Sequence, residues 1–190
     1  ISPDAQPTAP IQDAGTQDGS SAQDAQTELP EGALPAQSQL ALVDHASWRT
    51  YPASQDPLPS HQPDSVMCGR TGWYIENQLY AVPLLEINTD FCNYTLLEHP
   101  SLQPVAQATQ LTFHLQHYDL LAFGPAVAHI ALFFGDTLEW KTHIDIPAIG
   151  DAHEYTWRAS RAYPAGTPIR FHLHNHGQNT WMFVSLFSAD

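Results

Sequence analysis

In several segments between Leu111 and Leu186 apolar residues recur at every second position, and no window of the chain keeps a helical period over three turns. Side chains that alternate faces with period two belong to strands with one buried side. Leu111, Phe113 and Leu115 face one way, with Thr112, His114 and Gln116 facing the other. Trp140, Thr142, Ile144 and Ile146 oppose Glu139, Lys141, His143 and Asp145, and Tyr155 and Trp157 oppose Thr156 and Arg158. Val127–Phe134 is almost wholly apolar and predicts a strand buried on both faces. Earlier strands are expected at 73–75, 79–82, 84–87 and 91–97. Gly and Pro turns separate about eight such segments, which predicts an all-β antiparallel β-sandwich of jelly-roll type. An immunoglobulin-like sandwich is the alternative.

The last forty residues carry the most organised pattern. Ile169, Phe171 and Leu173 share a face, as do Met182, Val184 and Leu186. With His176–Asn179 as a four-residue loop, these two sets pair in a hairpin and every aliphatic falls on one side. Arg170, His172 and His174 then oppose Trp181 and Phe183 on the other side. Three uses of that second face compete. It is a second packed face with hydrogen-bonded histidines, a binding face whose rings stack on a ligand or partner, or a metal site. Histidines at i and i+2 on a strand can share one Zn or Cu ion. His114, His143 and His176 are the further candidate metal ligands, since the chain holds eleven histidines and several fall on polar strand faces.

Charge narrows the partners. The 190 residues include 20 acidic and 6 basic side chains, a net charge of -14. Lys141 is the single lysine. Such a chain repels phosphate backbones, so nucleic acid is excluded as a partner. No apolar run reaches the roughly 18 residues of a membrane-spanning helix, so no transmembrane segment is expected. Cys68 and Cys92 suit one disulfide in an oxidising compartment, with two buried thiols as the alternative. A chain that starts at Ile1 without an apolar leader is the form expected of a processed, exported protein.

Residues 1–40 are rich in Asp, Gln, Ala, Pro and Ser and contain no aromatic residue. Such a segment cannot bury enough apolar surface to fold alone. The expected organisation is therefore an extended arm or tether over 1–40 and a sandwich over 41–190. The arm resembles the spacers that follow the lipid-anchored cysteine of bacterial lipoproteins, although that cysteine is not in this sequence. Its Pro-rich character suits wrapping along a partner.

Gly166, five residues, then His172-x-His174 resembles the opening of the cupin metal-binding motif. The resemblance spans nine residues. The Glu of that motif has no counterpart, because Gln178 and Asn179 stand where it would fall. No Cys-x-x-Cys, His-Glu-x-x-His, Gly-x-Ser-x-Gly or phosphate-binding glycine loop is present, and no catalytic residues are predicted. The sequence thus points to a non-enzymatic exported sandwich, secreted, periplasmic or at the cell surface. It would act in binding or assembly with protein neighbours, or with copies of itself as a homo-oligomer. The binding residues expected are Arg170, His172, His174, Trp181 and Phe183. The alternatives are a histidine-rich Zn or Cu protein, with enzymatic activity if a coordination position stays open, and a carbohydrate-binding module that stacks sugars on Trp140 and Trp181.

Overall fold

A computed structural model of the chain describes residues 39–78 and 81–189. The arm expected over 1–40 lies outside the described residues except at its end. Gln39–Ala41 forms strand β1, so the expected boundary falls inside a strand. The remaining strands are β2 (Arg49–Thr50), β3 (Trp73–Glu76), β4 (Leu84–Asn88), β5 (Tyr94–Pro100), β6 (Gln110–His117), β7 (Ala126–Phe134), β8 (Thr137–Ile146), β9 (Asp151–Arg158), β10 (Pro168–His174) and β11 (Thr180–Ala189). A strand expected over 79–82 is not seen where the chain is described, since Ala81 and Val82 form a bend before Pro83.

Two antiparallel sheets carry these strands. Sheet A runs β3-β4-β11-β6-β9 with β1 also on β11, and sheet B runs β2-β5-β10-β7-β8. From β4 to β11, the orders 4-11-6-9 and 5-10-7-8 are those of a jelly roll, in which each sheet pairs early strands with late ones. Among the described residues no helix is long and apolar enough to cross a membrane.

The two inner faces interdigitate as the alternation predicts. Phe113 of β6, Phe171 of β10 and Phe183 of β11 are wholly buried. Their rings meet at 4.7 Å (Phe113–Phe183) and 5.2 Å (Phe171–Phe183), in tilted and edge-on geometries that suit ring quadrupoles. Leu97, Ile130, Leu132, Leu173 and Leu186 fill the space around them.

The C-terminal hairpin is corrected. β10 pairs with β5 and β7, whereas β11 pairs with β4 and β6. Residues 175–179 therefore cross from one sheet to the other. Period-two alternation puts an aliphatic face toward the core in either arrangement, so it cannot tell a hairpin from a crossover. The inward face of β11 also differs from the expectation. Its register on β6 shifts between Phe183 and Ser185, a β-bulge that adds one residue. Trp181 and Phe183 point into the core before the shift, and Leu186 does so after it.

Cys68 and Cys92 form the expected disulfide. The bridge ties the segment before β3 to the turn before β5. Its reduction is expected to lower stability by about 2–4 kcal/mol. Urea denaturation with and without reductant would check this; equal midpoints would show that the bridge constrains nothing.

Candidate functional site

The outer face of β10 is where the predicted site residues can be followed. Arg170, His172 and His174 do share it, but they are buried. The Pro-rich segment 51–63 lies over them, where a plain connection between strands was expected. Four prolines limit its backbone freedom, and two short 3-10 turns, Ala53–Gln55 and Pro59–His61, give it shape.

Two polar anchors pin this segment to the sheet. Asp56 accepts hydrogen bonds from the Tyr94 hydroxyl (2.6 Å), His172 Nδ1–H (2.7 Å) and the Leu58 N–H (2.8 Å). Burial works against its charge, but the bonds from His172, Tyr94 and Leu58 outweigh it and hold its pKa at about 2. Burial and the bond to Asp56 push the Tyr94 phenol far up. The second anchor is Tyr51, whose ring lies 4.1 Å beneath the Arg170 guanidinium and whose hydroxyl accepts from Nη2 at 3.1 Å. Arg170 Nε also donates to Glu98 Oε2 (2.8 Å), and Arg49 donates to Glu98 Oε1 (2.6 Å).

Beyond Asp56 the histidines gather. Across adjacent strands His174 of β10 stands opposite His129 of β7, which stands opposite His143 of β8. His61 reaches down from the covering segment to within 4.5 Å of His129, ring centre to centre. His176 lies 4.6 Å from His174. Burial lowers the pKa of His174 to about 4, with help from His176, His129 and His172; burial and neighbouring imidazoles also lower that of His129. A pocket of about 190 Å³ opens here, lined by Leu58, His61, His129, Lys141, His143 and His172 among others. Among the described residues no three His, Cys, Asp or Glu side chains converge as they stand on a point that would hold a metal ion.

The other predicted site residues are dispersed. Trp181 and Phe183 are fully buried core residues, which removes them as stacking platforms or interface anchors. The Trp181 Nε1–H donates to Asn175 Oδ1 at 3.1 Å. His114 lies on the outer face of sheet A, hydrogen-bonded to Ser185 and Glu154, on the far side of the sandwich from His172. Trp140 sits half-buried on β8, the last strand of its sheet. Its ring is 4.5 Å from Tyr155 and 6.1 Å from Trp157 on β9, the last strand of the other sheet.

Asp56, His61 and His129 were missed by sequence reasoning. His129 stands within an otherwise apolar strand, and the other two lie in a segment that reads as a connector. The available signal was the pairing of Tyr51, Asp56 and His61 with four prolines, a composition rich in side chains able to grip a surface.

A second feature stands at one end of the sandwich. The turns after β4, β6, β8 and β10 and the disulfide region all meet there. Leu120 pairs with Ala148, and the Gly150 N–H donates to Asp119 Oδ1 at 2.7 Å. Leu121 N–H bonds Asn179 Oδ1, and Thr89 donates to the Gly177 carbonyl at 3.0 Å. Gly177 is required: its φ is +85°, and a Cβ would lie 1.9 Å from the Leu121 carbonyl oxygen. These tied loops expose apolar side chains. Phe123 is fully exposed, Ile149 is 85 % and Leu121 60 % exposed, and Tyr118, Phe91 and Met67 flank them at about half.

No protein-family model matches the chain, and no curated protein sequence is similar to it. Solved structures with a similar fold include the K1 and K3 cleaved adhesin domains of Lys-gingipain from Porphyromonas gingivalis W83. The K1 domain is 16 % identical over 80 % of this chain and 99 % of that one, with a TM-score of 0.47. The K3 domain is 15 % identical over 80 % and 100 %, with a TM-score of 0.49. The family 11 carbohydrate-binding module of Clostridium thermocellum, solved with a β-1,3-1,4-mixed-linked tetrasaccharide, is 8 % identical over 78 % and 94 %, with a TM-score of 0.45.

Proposed function

We propose that this protein is an exported, non-enzymatic binding module that holds a protein neighbour through the apolar loop end. The observation that carries the proposal is the exposure of Leu121, Phe123 and Ile149 on two loops fixed by hydrogen bonds to one another. An exposed apolar patch of this kind marks an interaction site on a soluble domain. Rigid loops lose little entropy on docking, which favours their use as a recognition surface. The disulfide supports an oxidising, extracytoplasmic setting.

Charge favours one class of partner. Asp90 and Asp119 stand on the same loops and Asp151 opens β9 next to them, against Arg70 alone in the disulfide region. Two copies of this end would bring acidic rims together, and an anionic lipid surface would be repelled. The partner fitted to it is a different protein with an apolar centre and a basic rim. The arm over residues 1–40 is proposed to run along the same assembly.

Photocrosslinking from position 123, in the organism that makes the protein, tests this. One crosslinked partner is expected from position 123, none from position 102, and none from 123 in an Ile149→Asp background. Phe123→Asp and Ile149→Asp should each weaken association at least tenfold while moving stability by less than about 0.5 kcal/mol. The same crosslinked species from Leu102, or its survival in Ile149→Asp, would sink the proposal. Light scattering with and without residues 1–40 then assigns the arm. A large species that collapses on deletion makes the arm an assembly element; monomers in both forms leave the loop end as the contact.

A carbohydrate reading keeps one specific support. Trp140, Tyr155 and Trp157 form a cluster of half-buried rings on the last strands of the two sheets, with Trp157 stacked on Trp140 and Tyr155 tilted against it. Quenching of tryptophan fluorescence by soluble glycans, absent in Trp140→Ala, would favour it.

A further inference from the structure

We propose that His61, His129 and His172 form a binding site for one zinc- or copper-type ion, in the pocket on the outer face of sheet B. The inference does not rest on the loop end or its partner.

His172 supplies the first reason. Asp56 is a carboxylate and can only accept, so the proton of the 2.7 Å bond sits on His172 Nδ1. In the neutral ring this leaves a lone pair on Nε2. That atom is buried and has no protein hydrogen-bond partner. A buried acceptor without a donor is costly, and a cation satisfies it. The ring is also held as ligating imidazoles are held, with its second nitrogen bonded to a carboxylate that is itself fixed by Tyr94 and the Leu58 N–H.

The pocket supplies the second reason. Histidines from the covering segment, β7 and β10 all line it. Its volume of about 190 Å³ exceeds what an ion and its remaining waters need. Imidazoles that share a tetrahedral ion at about 2.0 Å per nitrogen place their ring centres about 5 Å apart. His61 and His129 stand at 4.5 Å. Their rings are tilted by 43° and the donors do not converge as they stand, so binding requires rotation about their side-chain torsions. His61 has room for this, since it ends a short 3-10 turn and is only half-buried. His143, exposed at the pocket mouth, is placed to serve as a fourth ligand.

Donor chemistry selects the ion. Imidazole nitrogens suit Zn and Cu, whereas Ca and Mg take oxygen ligands. Lys141 is the one fixed positive charge lining the pocket, and the net charge of -14 favours cation approach over its opposition.

The test is calorimetric titration of the chelator-treated full chain with Zn²⁺ and, separately, Cu²⁺, alongside Mg²⁺. One equivalent of Zn²⁺ or Cu²⁺ is expected to bind, and none of Mg²⁺. Co²⁺ should give the visible absorption of a tetrahedral site. His129→Gln and His61→Ala should each weaken binding more than tenfold, and His114→Gln should leave it unchanged. Asp56→Asn should weaken it 10- to 100-fold by freeing the His172 ring. His61 is only half-buried and lies on the covering segment outside the core, so its variant keeps the test open if a buried substitution unfolds the domain. No binding at millimolar metal would overturn the site. Stoichiometric binding that survives both His129→Gln and His61→Ala would also overturn it, by placing the ion elsewhere.

Discussion

Trp181→Ala is expected to destabilise the domain by about 3–5 kcal/mol, whatever the protein binds. The side chain is fully buried in the core, where its ring meets His117 at 4.9 Å. Truncation leaves a cavity in the core, and close-packed interiors refill such a space only in part. It also removes the indole N–H that Asn175 Oδ1 accepts at 3.1 Å and leaves that oxygen with the longer 3.3 Å bond from Asn179 Nδ2 alone. Asn175 belongs to the sheet-to-sheet crossover, so the loop end should loosen as well. Trp140→Ala gives the contrast. That ring is half-buried at the edge, and its loss should cost about 1–3 kcal/mol. Equilibrium urea unfolding monitored by far-UV circular dichroism would measure both. A Trp181→Ala protein as stable as the parent would refute its placement in the core.

Arg170→Ala should have a loss of similar size by a different route. Arg170 and Glu98 are both buried and bonded at 2.8 Å. Removing the arginine leaves Glu98 with Arg49 alone, an exposed side chain, and leaves Tyr51 without the cation over its ring. Breaking a buried pair from one side costs about 3–5 kcal/mol, because the remaining charge keeps its desolvation penalty. The pH dependence carries the sign. Burial raises the pKa of Glu98, but hydrogen bonds from Arg170 and Arg49 more than offset this and hold it below 4.5. A carboxylate with a lowered folded pKa contributes stability above its unfolded value and loses it as pH falls through the folded value. The variant lacks most of that contribution. The gap between parent and Arg170→Ala should therefore be widest at neutral pH and narrow below about pH 4.5. A gap that stays constant from pH 7 to pH 3 would show that the pair does not act through charge. Replacing both partners, as Arg170→Met with Glu98→Leu, should recover most of the loss.

Alternation along single strands was legible. Phe113, Phe171 and Leu173 were placed on apolar faces by spacing alone, and they are core residues. The cysteine pair was legible too, since only one bridge can be made from two cysteines. The site was legible only in part. His172, His174, His143 and His176 come together at one end of sheet B's outer face, as a shared histidine face required, but His114 lies across the sandwich. Strand order decides that question, and strand order depends on which segments pair at long range. The bulge in β11 is a further example. One extra residue near Val184 turns Trp181 and Phe183 from the expected outer face to the core, and nothing in the local residue pattern marks it.

The amino-acid sequence by itself determined the sandwich, the inward residues of most strands, the disulfide and the strongly acidic character of the chain. These follow from local periodicity, from the count of two cysteines and from composition. Only the tertiary structure decided that β10 and β11 belong to different sheets and that segment 51–63 covers the histidines. It also decided that Asp56 orients His172 and that the apolar loops meet at one end. Each of these joins residues distant in the chain, such as Asp56 with His172 or Gly177 with Leu121. Such contacts are set by the packing of whole elements, and period-two alternation is the same for every arrangement that buries the same face.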